Sequence, residues 1–136
     1  MEIQKEELAD FVLSFRYFVM NLEMASNYQN VNMLTGNPHP PNFIIDEMIF
    51  PLLYIQLVSV LDEGLDLMIR EKGLTSKRLS LGPKIELLNQ KKLLENPTDL
   101  DKIRERRNEI AHGLFTQTTV KELKAALSVI HLELFR

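Results

Sequence analysis

The chain has 136 residues, 45% of them apolar and 26% charged, a balance that fits one globular domain spanning 1–136 and excludes a disordered or fibrous polypeptide. It has no cysteine and only three histidines, His39, His112 and His131, far apart in sequence, which removes disulfides, thiolate chemistry and a dedicated metal site from the expected repertoire. No apolar run approaches the roughly 20 residues of a membrane span, and the acidic start is the reverse of a signal peptide; a soluble, unprocessed, cytoplasmic protein without membrane contact is expected.

Five glycines and repeated apolar spacings of three and four predict an all-α helical bundle of about five helices. The first helix is expected from about Glu2 to Gln29, burying Leu8, Phe11, Phe15, Phe18, Leu22 and Ala25. Asn30 to Asn42 reads as a proline-rich loop containing His39. The second helix starts between Asp46 and Pro51 and runs to about Lys72. Its polar residues Gln56, Ser59, Glu63, Asp66 and Arg70 share one narrow sector, so the rest of its circumference should touch neighbours on several sides. Phe50 and Tyr54, like Phe43 before them, are expected in the core or an interface.

A third, shorter helix should begin at Gly82-Pro83 and turn Ile85, Leu88 and Leu93 inward. The fourth opens at Asn96-Pro97-Thr98-Asp99, with the Asn96 side chain as cap, and stops at Gly113. The last opens on the capping box Thr119-Val120-Lys121-Glu122 and buries Leu123, Leu127, Ile130 and Leu134.

The net charge of −3 conceals a bipolar chain. Residues 1–69 carry two basic and ten acidic side chains, whereas residues 70–107 carry eleven basic and six acidic. The acidic first half suits a basic partner, and Lys77, Arg78, Lys84, Lys91 and Lys92 are candidates to line an approach for a polyanion such as RNA.

The fourth helix carries the most specific constellation, Arg104-Glu105-Arg106-Arg107-Asn108-Glu109-Ile110-Ala111-His112-Gly113. On a helical wheel Leu100, Ile103, Ile110 and Ala111 form an apolar face, and Arg107 projects from its middle. A guanidinium there requires either a carboxylate, such as Asp62 or Glu63 of the second helix, or a bound anion. Asn108 and His112 lie four apart on another face, and His112 occupies the last turn, beside the negative end of the helix dipole, a fitting place for a proton-transferring imidazole. Arg106 stands six positions before His112 and Arg107 five, so spacing alone leaves both arginines open. Arg107 is favoured because it precedes Asn108 and points inward.

Arg107-Asn108-Glu109-Ile110-Ala111-His112 resembles the Arg-x4-6-His signature of the HEPN superfamily, compact all-helical domains in which a polar residue, often Asn, follows the arginine. The motif closes the penultimate helix, and the acidic pair Asp62 and Glu63 precedes it on a long central helix, as in that family. The resemblance implies a homodimer whose two motifs converge, and in many members a metal-independent endoribonuclease with no cofactor. Such proteins often serve as the toxin of a toxin–antitoxin pair or in phage defence. It assigns His112 as acid or base, Arg107 as phosphate clamp and Asn108 as orienter, with Asp62, Glu63, Arg104 and Arg106 in support. It also implies RNA as substrate and an antitoxin or nucleotidyltransferase-type protein as partner. The rival expectation is a non-catalytic dimeric HEPN-type module that binds a nucleotide or a protein.

Overall fold

A computed structural model describes residues 5–27, 48–113 and 117–135, with side chains omitted at 25–27. Among these residues every regular element is helical: α1 (Lys5–Asn27), α2 (Phe50–Lys72), α3 (Leu81–Gln90), α4 (Pro97–His112) and α5 (Val120–Leu134). The loop expected at Asn30 to Asn42, with His39, and Phe43 beyond it fall outside them.

Four long helices alternate in direction, and a few contacts fix their registry. Lys124 Nζ lies 2.8 Å from Glu23 Oε2, tying the end of α1 to the start of α5. A Cβ placed on Gly64 would stand 2.5 Å from the Leu134 methyls, so the second half of α2 meets the end of α5 at close backbone approach. The Asn96 amide donates to Glu133 Oε1, and Arg106 bonds Glu122, so α4 runs antiparallel to α5. One end of the bundle therefore collects the end of α1, the start of α2, the end of α4 and the start of α5. The short α3 packs across α2 and α4.

As its wheel predicts, α2 is central: Leu57, Leu61 and Leu65 are fully buried, and it contacts each of the other four helices. Pro51 stands in its first turn, where no intrahelical donor is missed. In α1 the buried stripe is Leu8, Val12, Phe15 and Val19, rotated from the expected set, and Phe11 and Phe18 are 39% and 49% exposed. The two valines are slimmer than the phenylalanines they displace and permit closer packing of α1 on the bundle. Leu22 is half-buried, and the Ala25 side chain lies outside the described residues.

The helix ends depart from expectation in instructive ways. The third helix starts two residues before Pro83, still within the first turn, where a missing N–H leaves no bond unmade. Ile85 and Leu88 are buried and Leu93 is half-buried. At α4 the Asn96 side chain makes no capping bond; its backbone amide is taken instead by the buried Glu133 carboxylate. At α5 only half of the capping box forms. Thr119 Oγ1 accepts from the Glu122 amide at 3.1 Å, while the Glu122 carboxylate reaches across to Arg106.

Both α2 and α3 end in the same bond pattern. Leu74 N bonds Ile69 O and Gly73 N bonds Arg70 O; Leu93 N bonds Leu88 O and Lys92 N bonds Asn89 O. The pattern demands a left-handed residue, which Gly73 supplies at φ 60° without strain. At α3 the same role falls to Lys92, at φ 57°. Lys92→Gly is therefore expected to stabilise the fold by about 1 kcal/mol, read as a shift of the urea midpoint. An unchanged or lowered midpoint would show that Lys92 earns its conformation otherwise.

Candidate functional site

The end of α4 is held to α5 by Arg106. Its guanidinium bonds the Glu122 carboxylate, lies 3.0 Å from Glu109 Oε2, and donates from Nη2 to the Gln117 carbonyl at 2.9 Å. The hydrogen bond to Glu122 raises the Arg106 pKa further above its ordinary value. Arg104 is also paired, 2.9 Å from Asp101 Oδ1 and 3.9 Å from Glu105 Oε1.

Arg107 differs from both. Its Nε is buried and has no hydrogen-bond partner among the described residues, although the side chain as a whole is only half-buried. Neither expected carboxylate reaches it. Asp62 sits 2.8 Å from Lys84 Nζ, and Glu63 is exposed. The reason is the direction of α2. Tyr54 lines a pocket with Arg106 and Glu122, so Arg107 lies near the level of Tyr54, and Glu63 is nine residues further along, about 14 Å at the helical rise. Asp62 and Glu63 stand instead at the other end of the bundle, the level at which Gly64 meets Leu134 and Asn96 bonds Glu133.

Asn108 is half-buried one residue on, and His112 is exposed in the final turn before Gly113, whose amide bonds Glu109 O at 2.8 Å. Ala111, expected on the inner face, is exposed; the buried residues of α4 are Leu100, Ile103 and Ile110. An inward guanidinium with a spare donor thus lies close in sequence to an exposed imidazole and a polar amide. A guanidinium can hold an anion and an imidazole can exchange a proton, but positions 107 and 112 point about 140° apart on the helix, so the two groups are more readily focused on one phosphate from two copies than from one.

Of the cations proposed to line an approach, Lys77, Arg78, Lys91 and Lys92 are exposed. Lys84 is not. It is 7% exposed and committed to Asp62 and, at 3.4 Å, to Asp66, which also accepts from Arg70 Nε at 3.1 Å. Sequence reasoning also missed Thr118, whose Oγ1 is fully buried and has no partner among the described residues, on the short connection between α4 and α5. An isolated threonine beside a helix cap carries no pattern that would mark it. Among the described residues no group of three or more His, Asp or Glu side chains could hold a metal ion, and no helix is long and apolar enough to cross a membrane.

Phe50 and Tyr54 are buried, and the Tyr54 phenol is pushed up to about 12, chiefly by burial and then by the Glu122 charge, against the opposing pull of Arg106. The unfolded chain releases this proton near pH 10, so the stability held by the neutral phenol is complete below pH 10 and lost as pH rises toward 12. Alkaline denaturation curves should show Tyr54→Phe retaining stability over that window better than the wild type. Parallel curves would contradict it.

No family model matches the chain, and comparison with curated proteins and with solved structures likewise finds no match.

Proposed function

We propose that the protein is a HEPN-like, metal-independent endoribonuclease working as a homodimer, with the end of α4 as its phosphodiester site. The observation that carries this reading is the buried Nε of Arg107, unpartnered among the described residues, on a helix whose other two arginines are both ion-paired. An unsatisfied buried donor is disfavoured in a fold and persists where an absent group completes it. A phosphate oxygen completes a guanidinium well.

In the proposed reaction the ribose 2′-hydroxyl attacks the adjacent phosphorus, and the 5′-oxygen of the next nucleotide leaves. His112 relays the proton from the attacking to the leaving oxygen, yielding a 2′,3′-cyclic phosphate and a 5′-hydroxyl. Arg107 neutralises the charge that grows on the phosphorane oxygens, and Asn108 orients the ribose or phosphate. A role as toxin or defence nuclease follows from the same resemblance.

The test is incubation of purified protein with total RNA in EDTA, wild type beside His112→Ala. Cleavage to cyclic-phosphate ends by the wild type and its loss in the variant are expected, together with relief of growth arrest on expression. Intact RNA across several substrates, with phosphate or a nucleotide still raising the melting temperature, would replace catalysis with a binding role.

A further inference from the structure

Helix α1 is apolar on two opposite faces. Leu8, Val12, Phe15 and Val19 face the bundle, whereas Leu13, Tyr17, Met20 and Met24 form a second stripe about 140° away on the wheel. These four are 54%, 63%, 47% and 57% exposed. Their spacing of four, three and four is that of a helix-pairing seam, and the same register continues backward into Asp10 and Glu6. Beside the stripe, a groove between α1 and α5 is floored by Val12, Val19 and Leu127 and edged by Met20, Met24 and the 57% exposed Leu132.

We infer that this face is covered by a second copy of the chain, with the two α1 helices antiparallel and crossing near Tyr17. Three observations choose that occupant. The first is area: Leu13, Tyr17, Met20, Met24 and Leu132 leave roughly 100 Å² apiece in water, an apolar centre of about 500 Å², which a polar rim extends to the ~800 Å² per partner of a stable interface. The second is self-complementarity. A seam at coiled-coil spacing on a single helix is matched by an identical seam about a dyad.

Charge then sets the direction. Parallel pairing would oppose Glu6 to Glu6 and Asp10 to Asp10 within the seam. Antiparallel pairing about Tyr17 instead brings Asp10 of one copy to the level of Met24 in the other, where Lys124 already bonds Glu23, and Glu6 one turn further, toward the exposed Lys121. It also opposes the two helix dipoles favourably. This contact is separate from the α4 site and places the two α4 ends at opposite extremes of the pair. The homodimer proposed for the nuclease, with its motifs converging, is a different pairing, and the two contacts together build a closed tetramer or a chain of copies.

The absence of cysteine makes the geometry directly readable. Light scattering coupled to gel filtration should show an oligomer whose mass is halved by Tyr17→Glu with Met20→Glu, with self-association weakened at least about 30-fold. Both positions are exposed, so the variant's helical content and melting profile should show a folded protein. The Asp10→Cys, Met24→Cys double variant should oxidise to a covalent dimer, whereas Met24→Cys alone should not. A wild type that is monomeric at about 100 µM, or an oligomer whose mass the glutamates leave unchanged, overturns the inference; efficient cross-linking of Met24→Cys alone overturns the antiparallel arrangement.

Discussion

Arg107→Met is expected to raise the melting temperature while abolishing RNA cleavage. The opposite signs separate the two readings of a guanidinium on an inner face. An arginine that fixes packing through an ion pair leaves a buried, uncompensated charge behind when it is removed, and the fold weakens. Here the Nε is buried and already lacks a partner among the described residues, so the methionine removes an unsatisfied donor and keeps most of the stem's apolar contact. The expected gain is about 1 kcal/mol, at the low end for a buried unsatisfied polar group because the side chain is only half-buried. In a domain of this size that is a rise of about 4 °C. Loss of the cation proposed to meet the phosphorane oxygens should lower the cleavage rate by about 10²- to 10³-fold or more. Arg106→Met supplies the contrast: it strands Glu122 and the Gln117 carbonyl and should lower the melting temperature. A fall of several degrees in the Arg107 variant would assign that residue to packing and remove the main support for the phosphodiester site.

Much of this architecture is legible in the order of residues because it depends on local chemistry. Thr119 caps α5, Gly113 follows the last residue of α4, and the near-complete apolar circumference of α2 marks it as central. What escapes the sequence depends on which helix face meets which neighbour. The wheel of α1 carries overlapping apolar sets that share Leu8 and Phe15, and it cannot say whether Phe11 and Phe18 or Val12 and Val19 turn inward with them. Asn96 looks like a capping side chain, yet Glu133, 37 positions away in the last turn of α5, takes its amide. Lys84 looks like one more surface cation until α3 folds against α2. The candidate site divides in the same way. Arg107, Asn108 and His112 belong to one helix and could be read together, and Arg107, favoured over Arg106 by the Asn108 that follows it, differs from it in the fold because α5 supplies Glu122 to Arg106. The placing of Asp62 and Glu63 failed because it needed the relative direction of α2 and α4, which no local pattern encodes.

Asp62→Ala is expected to destabilise the fold by about 2 kcal/mol and to leave RNA cleavage unchanged. Lys84 is 7% exposed, with its ammonium 2.8 Å from Asp62 Oδ1 and 3.4 Å from Asp66 Oδ1. Removing the nearer carboxylate leaves a buried cation with one carboxylate, which Arg70 also engages, and the backbone carbonyl of residue 62 at 3.5 Å. A fully buried pair broken in this way loses about 3–5 kcal/mol; the Asp62 side chain is 42% exposed, so water screens the pair and the smaller figure applies. Lys84→Met in the same chain removes the stranded charge and substitutes a stem of similar length, so the double variant should recover most of the loss. The coupling between the two sites, read from urea midpoints of the four proteins, should be at least about 1 kcal/mol. Cleavage should be indifferent, because Asp62 lies about 12 Å along α2 from the level of Tyr54, beyond the reach of the α4 end. An Asp62→Ala protein that keeps its stability but loses cleavage would place Asp62 in the reaction, as the resemblance implies, and would require α4 to meet α2 differently when RNA is bound.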